Sequence, residues 1–507
     1  MNATLAALTQ ARKSIQSDGI ETRPFVDGRY FTPDGGALID KTSPIDGQVL
    51  PPLHDCGAVE LDLAVRHASL AFRNGCWRNR SQVEKKETIF RLAALIEADI
   101  AHLAYLDTLE TGRAYANFFH DSIPKAVKAL RWFAEGIDKY HDLSGAPSCD
   151  QLSLITREPL GVVGIITPWN DPLVVSMWKL APALLMGNSV IMKPAEQSSY
   201  SLLRVAALAH RAGIPAGVLN VLPGRGERIG RAIATHMDIR GVFFTGSSSV
   251  GKEILRGAGE SNMKKVGLEC GGKSAFIVSD KCLDLRLAAR TLAKSMFYNQ
   301  GQICSAPSRA ILHNKIKNEF IEHLIAEMPA FIPGDPLNPE TRVGATASKE
   351  QYDRIQDYIQ QAIDRGLRCI RDGFEPPYAG GYYVAPTVFP EVPPDDPLAR
   401  EEIFGPVLIT HSFDRIGDAI ELANDSRFGL AASIWSNDLD EALHCSRGLE
   451  AGIVHVNSYG DDDNTVPFGG IKESGIGRDK SLLAFDDYST LKTTWFRLGN
   501  AAGKQTP

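Results

Sequence analysis

Short apolar runs alternate with amphipathic stretches from Pro159 onward, and this alternation predicts strands separated by helices. The predicted strands are Val162–Ile166, Val190–Met192, Val218–Leu222 and Val242–Phe244. The predicted helices that follow them are Ser176–Met186, Ser201–Ala212, Arg228–Thr235 and Ser248–Ala258. Apolar strands that alternate with helices form a parallel sheet covered on both faces, and such sheets bind ligands where their strands end. We therefore expect binding residues directly after these strands.

A second alternating unit begins at Lys265 and runs beyond Gly470. It contains predicted strands at Ala275–Val278 and Val407–Phe413 and a long predicted helix at Lys349–Arg365. Before the first unit, residues 61–140 are mostly helical and residues 1–60 are expected to form short strands and turns. Strand-like patterns at residues 151–157 and 488–495 predict two further, half-exposed strands.

Cys304 lies in a glycine-containing loop, Asn299–Ser305, where a thiol could be exposed and aimed. The loop separates a predicted helix, Leu283–Phe297 with Asp284 as its cap, from a predicted strand at Ser308–Leu312. A free cysteine is more often a small buried apolar residue, and reactivity requires surroundings that favour the thiolate. Taken alone, this cysteine leaves both interpretations open.

Length and composition narrow the class of protein. A chain of 507 residues is too long for one compact core, so two domains are expected. The net charge of −7 argues against a nucleic-acid partner. The eight cysteines are scattered without a metal-ligand spacing, so neither a metal site nor a disulfide framework is expected. The N-terminus is unlike a signal peptide, and polar residues interrupt the most apolar region, Trp178–Met192, so we expect a cytoplasmic protein without a membrane partner.

One motif is misleading. Residues Gly267–Ser274 match the phosphate-binding pattern GxxxxGK[ST], and Gly246–Lys252 nearly match it. That mechanism requires a helix directly after the lysine, because the helix N-terminus holds the phosphates. The apolar run Ala275–Val278 follows instead and predicts a strand, so nucleotide hydrolysis is rejected.

Several motifs occur together in one order along the chain. They are Asn170, Lys193, Glu196, Gly246-Ser247, Glu269–Gly272, Cys304, Glu402–Pro406 and Pro467–Gly470. With them the chain resembles the NAD(P)-dependent aldehyde dehydrogenase superfamily, from about Phe25 to Leu498. A closer likeness is to bacterial amino-aldehyde dehydrogenases of polyamine catabolism, of the gamma-glutamyl-gamma-aminobutyraldehyde type. The segments that carry it are Asp121–Pro124, Arg131–Glu135, Glu260–Lys264 and Gly477–Leu482.

The resemblance implies an α/β fold with three parts. A Rossmann-type, parallel-sheet cofactor domain would comprise residues 1–140 and 160–268, and an α/β catalytic domain would comprise residues 269–480. Residues 141–159 and 481–507 would form a small β oligomerisation extension that completes a neighbouring subunit's sheet. A homodimer or homotetramer is therefore expected.

The resemblance also implies a reaction. The carbonyl carbon of an aldehyde is electron-poor and does not release hydride directly, so the family forms a cysteine thiohemiacetal and then a thioester. Cys304 matches the nucleophile, Asn170 the oxyanion donor and Glu269 the general base, and Lys193 also belongs to the catalytic set. Relatives that transfer the acyl group to coenzyme A or phosphate usually lack the base, so Glu269 favours hydrolysis to the acid. A catalytically silent member with a binding role is the alternative, and it would be expected to lack one of these residues.

NAD is the expected cofactor. The resemblance places Lys193 and Glu196 at the adenosine ribose, where the carboxylate would disfavour the 2′-phosphate of NADP. It places Glu402 at the nicotinamide ribose and Phe404 beside the ring, although plain core packing is the alternative for Phe404. The other expected cofactor residues are Thr167, Trp169, Gly226, Gly246 and Ser247.

Three departures from the family pattern bear on the substrate. Asp171 stands where many relatives carry Phe, the loop Tyr459–Asn464 is acidic, and Glu110 matches a position that is often acidic in amino-aldehyde enzymes. An acidic channel would favour an aldehyde with a cationic or polar nitrogen group. The alternatives are exposed loop carboxylates and a general small-aldehyde enzyme. The expected substrate-binding residues are Glu110, Asp171, Trp178, Asp461, Asp462 and Phe468.

Overall fold

The computed structural model describes residues 3–33, 35–146, 148, 150–460 and 463–498. Its largest sheet, the first sheet, has eight strands. In spatial order they are Arg29–Tyr30, Phe25–Val26, Leu219–Val221, Ser189–Lys193, Val162–Ile166, Ile239–Thr245, Lys265–Glu269 and Gly475–Ile476. The strands from Leu219–Val221 to Lys265–Glu269 run parallel, which confirms the predicted parallel sheet.

The second sheet has seven strands and belongs to the second alternating unit. In spatial order they are Ile370–Arg371, Thr387–Phe389, Val407–Phe413, Arg309–His313, Ala275–Val278, Ala431–Trp435 and Ile453–Val456. Only the edge strand Ile370–Arg371 pairs antiparallel in this sheet, as far as the described residues go. Two short antiparallel pairs lie outside the larger sheets, Leu38–Thr42 with Val49–His54 and Phe428–Gly429 with Ile471–Lys472.

Helices supply the apolar surfaces that bury both faces of these sheets. The α-helices are Ala3–Asp18, Ala58–Asn74, Gln82–Ala98, Ile100–Thr111, Tyr115–Asn117, Ile123–Gly136, Pro172–Leu185, Tyr200–Ala212, Arg231–Thr235, Ser248–Glu260, Leu285–Phe297, Lys317–Glu327, Lys349–Asp364, Pro397–Arg400, Ile416–Asn424, Leu439–Gly448 and Ala484–Asp487. Short 3₁₀ or π turns are Phe118–Ser122, Ile137–Lys139, Gly226–Gly230, Tyr298–Gly301 and Met328–Phe331. Within the described parts of the chain, no helix combines the length and the apolar character that crossing a membrane requires.

The N-terminal helix Ala3–Asp18 corrects the expectation of only short strands and turns before residue 60. It buries Leu8 and Ala11, and the guanidinium of Arg12 lies 5.9 Å from the centre of the Tyr105 ring. Its buried stripe is narrow, so the apolar periodicity gives little signal for a helix in the sequence.

A third sheet is formed by three strands, Ser489–Arg497, Gln151–Pro159 and Leu143–Ser144. The first two pair antiparallel along their whole length and contain both half-exposed strands predicted from the sequence. Several large apolar side chains of this region are exposed. They are Leu143, Leu154, Leu491, Trp495, Phe496 and Leu498.

The late part of the chain returns to the first sheet. Gly475–Ile476 pairs antiparallel with Lys265–Glu269, although it lies inside the segment 269–480 that we expected to form the catalytic domain. Phe485 and Tyr488 pack in the same apolar core as Phe243 of the first sheet. This return covers what would otherwise be an open edge beside Glu269.

Candidate active site

Three neighbouring strands of the first sheet end side by side, and the residues at their ends form a polar edge. Thr167 follows Val162–Ile166, Lys193 ends the next strand, and Thr245 ends Ile239–Thr245. The hydroxyl oxygens of Thr167 and Thr245 are buried and have no hydrogen-bond partner among the described residues. Buried polar atoms without partners are uncommon, so this edge fits a polar ligand that would supply them.

Lys193 and Glu196 form an ion pair at this edge, with 3.3 Å between Nζ and Oε2. Burial lowers the pKa of Lys193, and the charge of Glu196 opposes that shift. The backbone N–H of Gly226 donates to the other carboxylate oxygen of Glu196 at 2.6 Å. The side chain of Glu196 remains 27% exposed, so it can also accept a hydrogen bond from a ribose hydroxyl.

The helix Ser248–Glu260 begins at the same edge. The side chain of Ser247 caps it by accepting a hydrogen bond from the N–H of Val250 at 3.4 Å. The N–H of Gly246 donates to the carbonyl of Glu269 at 3.0 Å, which ties this turn to the neighbouring strand. The N-terminus of a helix of this length attracts anions, so Gly246 and Ser247 lie where a pyrophosphate would fit.

The segment that carries Cys304 begins at a well-defined helix end. The helix Leu285–Phe297 is capped by Asp284, whose Oδ1 accepts a hydrogen bond from the N–H of Leu287 at 2.9 Å. This confirms the predicted cap. Cys304 itself is partly exposed, as a nucleophile must be.

The turn between this helix and Cys304 has an unusual backbone. Asn299 and Gln300 have φ angles of 51° and 57°, although neither is glycine, and both are buried. Side chains hold the turn: Gln300 Nε2 donates to the carbonyl of Val384 at 3.1 Å, and Gln302 Nε2 donates to the carbonyl of Asn299 at 3.0 Å. The backbone before Cys304 is therefore fixed on several sides.

Asn170 is hydrogen-bonded directly to this turn. Its side-chain Nδ2 donates to the carbonyl of Gln302 at 3.0 Å, and its own carbonyl accepts a hydrogen bond from Asn299 Nδ2 at 3.2 Å. An amide nitrogen carries two N–H groups, so one remains for a substrate oxygen beside Cys304.

Glu269 ends the strand Lys265–Glu269 and is 5% exposed. Neither carboxylate oxygen has a hydrogen-bond partner among the described residues. Burial, and to a smaller extent the charge of Asp479, raises the pKa of Glu269 well above its usual range. Gly469 has a φ of 155°, and a Cβ at that position would lie 2.5 Å from Oε1 of Glu269, so glycine leaves room for the carboxylate.

The charges of two carboxylates, Glu269 and Glu402, act on the thiol of Cys304. Burial, followed by the charges of Glu269 and Glu402, raises the pKa of Cys304 to about 12. The thiol is therefore protonated in this state, and a proton must leave before the sulfur can act as a nucleophile.

Lys179 and Asp479 form a buried ion pair behind Glu269, with 2.7 Å between Nζ and Oδ2. Their charges act on the pKa of Glu269 in opposite directions, Asp479 raising it and Lys179 lowering it. Neither residue has a role that could be predicted from the sequence. Lys179 gave a signal, because it is a charge within the apolar run Trp178–Met192, and Asp479 lies in the segment Gly477–Leu482, but nothing in the sequence joined two residues 300 positions apart.

Glu402 lies against the glycine pair that follows Glu269. The N–H of Gly272 donates to its Oε1 at 3.0 Å, and a Cβ on Gly271 would overlap the carboxylate. Burial raises the pKa of Glu402 to about 7. Phe404 packs edge-to-face on Trp169, with 5.3 Å between ring centroids. Glu402 and Phe404 line one cavity together with Gly301 and Ile303 of the Cys304 loop, so both expected nicotinamide-side residues lie near that loop.

The expectation that Glu110 faces the channel is wrong. Its side chain is fully buried and forms an ion pair with Lys41. It also accepts hydrogen bonds from the N–H groups of Ser199 and Tyr200 at 3.1 and 2.8 Å, at the start of the helix Tyr200–Ala212. The helix N-terminus and the lysine provide its counter-charges, so Glu110 is a structural residue. Lys41 also donates to the carbonyl of Glu196 at 2.7 Å, which links this pair to the cofactor edge.

Asp171 does lie next to Asn170, but its charge is compensated. Its Oδ2 is 3.2 Å from Nη1 of Arg113 and accepts a hydrogen bond from the hydroxyl of Ser122 at 3.3 Å. Its side chain is 27% exposed. The residue pattern gave no signal for Arg113, which follows directly after a helix and lies 58 positions before its partner in the chain.

Two of the expected substrate-binding residues, Trp178 and Phe468, form an aromatic pair. Trp178 and Phe468 lie 5.5 Å apart between ring centroids. The ammonium of Lys480 lies 4.4 Å from the centre of the Trp178 ring and 5.1 Å from that of Phe468. Asp461 and Asp462 lie outside the described residues. The structure thus brings Trp178 and Phe468 together, and it adds a lysine that the expectation of an acidic wall did not include.

The phosphate-binding pattern at Gly267–Ser274 is followed by a strand, as predicted, and not by the helix that phosphate binding requires. The pattern begins within the strand Lys265–Glu269 and is followed by the strand Ala275–Val278, with no helix between them. Its Lys273 is buried, and burial lowers the pKa of this lysine to about 7. The strand that was predicted after this motif, and on which its rejection depended, is therefore confirmed.

Comparisons with known proteins agree with this geometry. The pattern described as "Aldehyde dehydrogenase family" matches residues 30–494. The Escherichia coli K12 protein "NADP/NAD-dependent aldehyde dehydrogenase PuuC" is 43% identical over 479 residues, which cover 94% of this chain and 96% of PuuC. The P. syringae indole-3-acetaldehyde dehydrogenase AldA, a mutant solved with NAD⁺ and IAA, has a TM-score of 0.94 and 44% identity over 97% of this chain and 99% of its own. The gamma-glutamyl-gamma-aminobutyraldehyde dehydrogenase from Burkholderia cenocepacia J2315 has a TM-score of 0.93 and 44% identity over 97% and 100%.

Proposed function

This chain belongs to the aldehyde dehydrogenase family, and we propose that Cys304, Asn170 and Glu269 carry out its NAD-dependent oxidation of an aldehyde. The observation that carries the assignment is the hydrogen bond from the Asn170 side chain to the carbonyl of Gln302. It brings an amide donor to the backbone two residues before the thiol. A catalytically silent relative would have no need for this arrangement, so the silent-member alternative is the less favoured one.

The first step is addition to the carbonyl. The Cys304 sulfur forms a bond with the aldehyde carbon, and the electron pair of the C=O bond moves to oxygen. The free N–H of Asn170 donates to that oxygen and lowers the barrier, because the negative charge develops there. The proton of the thiol must leave first, and Glu269 is the acid whose charge acts most strongly on the pKa of that thiol, after burial itself.

The residues of the polar edge fit the cofactor. Lys193 and Glu196 would hold the adenosine ribose, and the helix start at Ser247 would hold the pyrophosphate. Thr167, Trp169, Gly226 and Gly246 complete this side, whereas Glu402 and Phe404 would hold the nicotinamide riboside. When bound, NAD supplies the ring that accepts a hydride from the substrate carbon.

The last step releases the acid. After oxidation the acyl group is held by Cys304 as a thioester, and Glu269 takes a proton from the water that attacks it. The C–S bond breaks, the carboxylic acid leaves and the thiol is restored. Glu269 suits this task because its raised pKa makes its carboxylate a stronger base than an exposed one.

We propose a substrate with a polar nitrogen group at the end remote from the aldehyde. The Burkholderia cenocepacia relative is named for such a substrate. Asp171 is the N-cap of the helix Pro172–Leu185, and Trp178 lies two turns further along that helix. Charges of both signs lie around this face: Asp171 is 27% exposed and paired with the buried Arg113, and the buried Lys480 lies beside the Trp178 ring. Mixed charges favour a group with both donors and acceptors, such as an amide, over a bare ammonium ion.

An arylacetaldehyde is a second candidate substrate. The P. syringae relative is named an indole-3-acetaldehyde dehydrogenase and has the same identity to this chain. The aromatic pair Trp178–Phe468 is the observation that favours it, because aromatic rings stack on one another.

The two candidates are separated by measuring kcat/KM for four aldehydes with NAD. They are N-acetyl-4-aminobutyraldehyde, 4-aminobutyraldehyde, butyraldehyde and indole-3-acetaldehyde. N-acetyl-4-aminobutyraldehyde should exceed butyraldehyde by about tenfold and should also exceed 4-aminobutyraldehyde. A best rate with butyraldehyde would instead identify a general small-aldehyde enzyme, and a best rate with the indole would favour the second candidate.

We also propose that copies of this chain assemble through the third sheet. Leu491, Trp495 and Phe496 are exposed by 59%, 67% and 44%, which is unusual for large apolar side chains on one edge. Two or four copies would cover them, and light scattering that finds only a monomer at micromolar concentration would contradict this. We further propose a division into domains at residues 140, 160, 268 and 480 and a cytoplasmic location. Both proposals are based on the resemblance of this chain to its family.

A further inference from the structure

We propose that Arg113 is a positioning residue that holds Asn170 in register with the Cys304 loop, an inference that rests on the proposed function. Its side chain reaches from the loop after Ile100–Thr111 to both halves of the site. Its hydrogen bonds and ion pair are made to Asn170, Tyr298 and Asp171 and not to Cys304. It acts instead on the backbone of Asn170 and on the residue that begins the turn before Cys304.

The contacts of Arg113 connect three segments. Nη1 donates to the carbonyl of Asn170 at 3.4 Å and lies 3.2 Å from Oδ2 of Asp171. Nη2 donates to the hydroxyl of Tyr298 at 2.7 Å. The guanidinium also lies 4.9 Å from the centre of the Phe118 ring and 5.0 Å from that of Tyr298. One side chain thus joins the oxyanion donor, the next residue along the chain and the first residue of the nucleophile's turn.

The contacts of Arg113 are made in a buried environment, where a charged group needs partners. The side chain of Arg113 is 3% exposed, and its Nε has no hydrogen-bond partner among the described residues. A buried guanidinium needs a counter-charge, and Asp171 is the carboxylate that contacts it. The pKa of Arg113 is raised by Tyr298 and Asp171 in spite of its burial, so it stays charged.

Arg113 acts on the peptide between Asn170 and Asp171. The carbonyl of that peptide accepts hydrogen bonds from Arg113 and from Asn299 Nδ2, the latter at 3.2 Å. Fixing this peptide fixes the origin of the Asn170 side chain, whose Nδ2 then reaches the carbonyl of Gln302. A displacement of about 1 Å in a catalytic group can cost about 100-fold in rate, so this support can matter without touching substrate.

Asp171 acquires a different role from the one that the sequence analysis assigned. Its carboxylate neutralises Arg113 and accepts a hydrogen bond from Ser122 at 3.3 Å. Asp171 therefore serves catalysis through Arg113 and not by attracting a cationic substrate.

The test is a double-mutant cycle on kcat/KM with Arg113→Gln, Asn170→Ala and the double variant. Arg113→Gln should lower kcat by about 10- to 100-fold with little change in KM. The double variant should lose little more than Asn170→Ala alone, because the arginine acts through the asparagine. Losses that multiply, or a normal kcat in Arg113→Gln, would overturn the proposal.

Controls separate positioning from folding. Arg204 forms a similar guanidinium–carboxylate pair with Asp99, and Nη2 to Oδ1 is 2.8 Å, so Arg204→Gln should leave kcat unchanged. NAD affinity, read by fluorescence, should be unchanged in both arginine variants. If Arg113→Gln does not fold, Tyr298→Phe and Asp171→Asn replace it in the same cycle, each with an expected loss of about threefold to tenfold that is absent in the Asn170→Ala background.

The outcomes also distinguish this proposal from the proposed function. If Asn170→Ala itself retains kcat/KM, the assignment of Asn170 as oxyanion donor fails. If Asn170→Ala loses activity but the losses multiply, only the positioning role of Arg113 fails.

Discussion

The buried carboxylates near Cys304 and the outer carboxylate beside Asn170 have different surroundings. The inner ones, Glu269 and Glu402, are buried, and burial raises the pKa of each, that of Glu402 to about 7. The outer one, Asp171, is paired with Arg113 and accepts a hydrogen bond from the hydroxyl of Ser122. A buried carboxylate with a raised pKa suits proton transfer, whereas a paired one fixes geometry. The position of a carboxylate in the site therefore does not tell what it does, but its partners do.

Removing the nucleophile should have the largest effect. Cys304→Ala should lower NADH formation by more than about 1,000-fold, because no thioester can form. NAD binding should persist, since none of the expected cofactor contacts involves the thiol. Cys76 is exposed and distant in the chain, so Cys76→Ala is the matched control and should retain full activity. Near-normal turnover in Cys304→Ala would show that Cys304 is not the nucleophile.

The raised pKa of Glu269 predicts a pH dependence with a definite sign. The base is active when ionised, so thioester hydrolysis should accelerate as pH rises through its pKa, and Glu269→Gln should be slower by about 100-fold and flat with pH. Ionisation of the buried carboxylate costs folding stability, so stability due to this group is full at low pH and falls as pH rises towards the raised pKa. The melting temperature of Glu269→Gln should therefore gain on the parent as pH increases. Parallel curves for the two proteins would contradict the buried, unpaired state of Glu269.

Glu196 at the cofactor edge is intermediate between the two kinds of carboxylate, because it is paired with Lys193 and remains partly exposed. The parent should prefer NAD to NADP in kcat/KM, and Glu196→Gln should reduce that preference by about tenfold. Glu227 is an exposed acid in the neighbouring turn and provides the control, Glu227→Gln, which should leave the preference unchanged. Equal use of both cofactors by the parent would show that the pair with Lys193 leaves too little charge for discrimination.

The smallest change is expected in substrate selectivity from Asp171. Because its charge is compensated by Arg113, Asp171→Asn should alter the ratio of kcat/KM for 4-aminobutyraldehyde and butyraldehyde by less than about threefold. The absolute rates should fall for both aldehydes together. A selective loss of the amine would return Asp171 to the role of a cation-binding residue.

The same comparison explains how much the sequence could predict. The parallel sheet, the residues at its strand ends and the cap at Asp284 follow from local patterns whose partners are near in the chain. Asn170 and the Cys304 loop were identified through their motifs. The hydrogen bonds between them are accepted by backbone carbonyls, so they do not require a particular side chain on the partner residue. Glu110 was misplaced because its partner Lys41 lies 69 positions away, and a single acidic letter carries no information about such a partner. Arg113 was missed for the same reason.

The central claim is that Cys304 carries the acyl group and Glu269 removes it. The direct measurement is mass spectrometry of Glu269→Gln after mixing with NAD and aldehyde, together with the amplitude of the NADH burst. The account predicts a burst of about one NADH per active subunit and an acyl adduct on the peptide that contains Cys304. The double variant Cys304→Ala, Glu269→Gln should show neither. A burst without an adduct, or an adduct on another cysteine such as Cys76, would contradict the account.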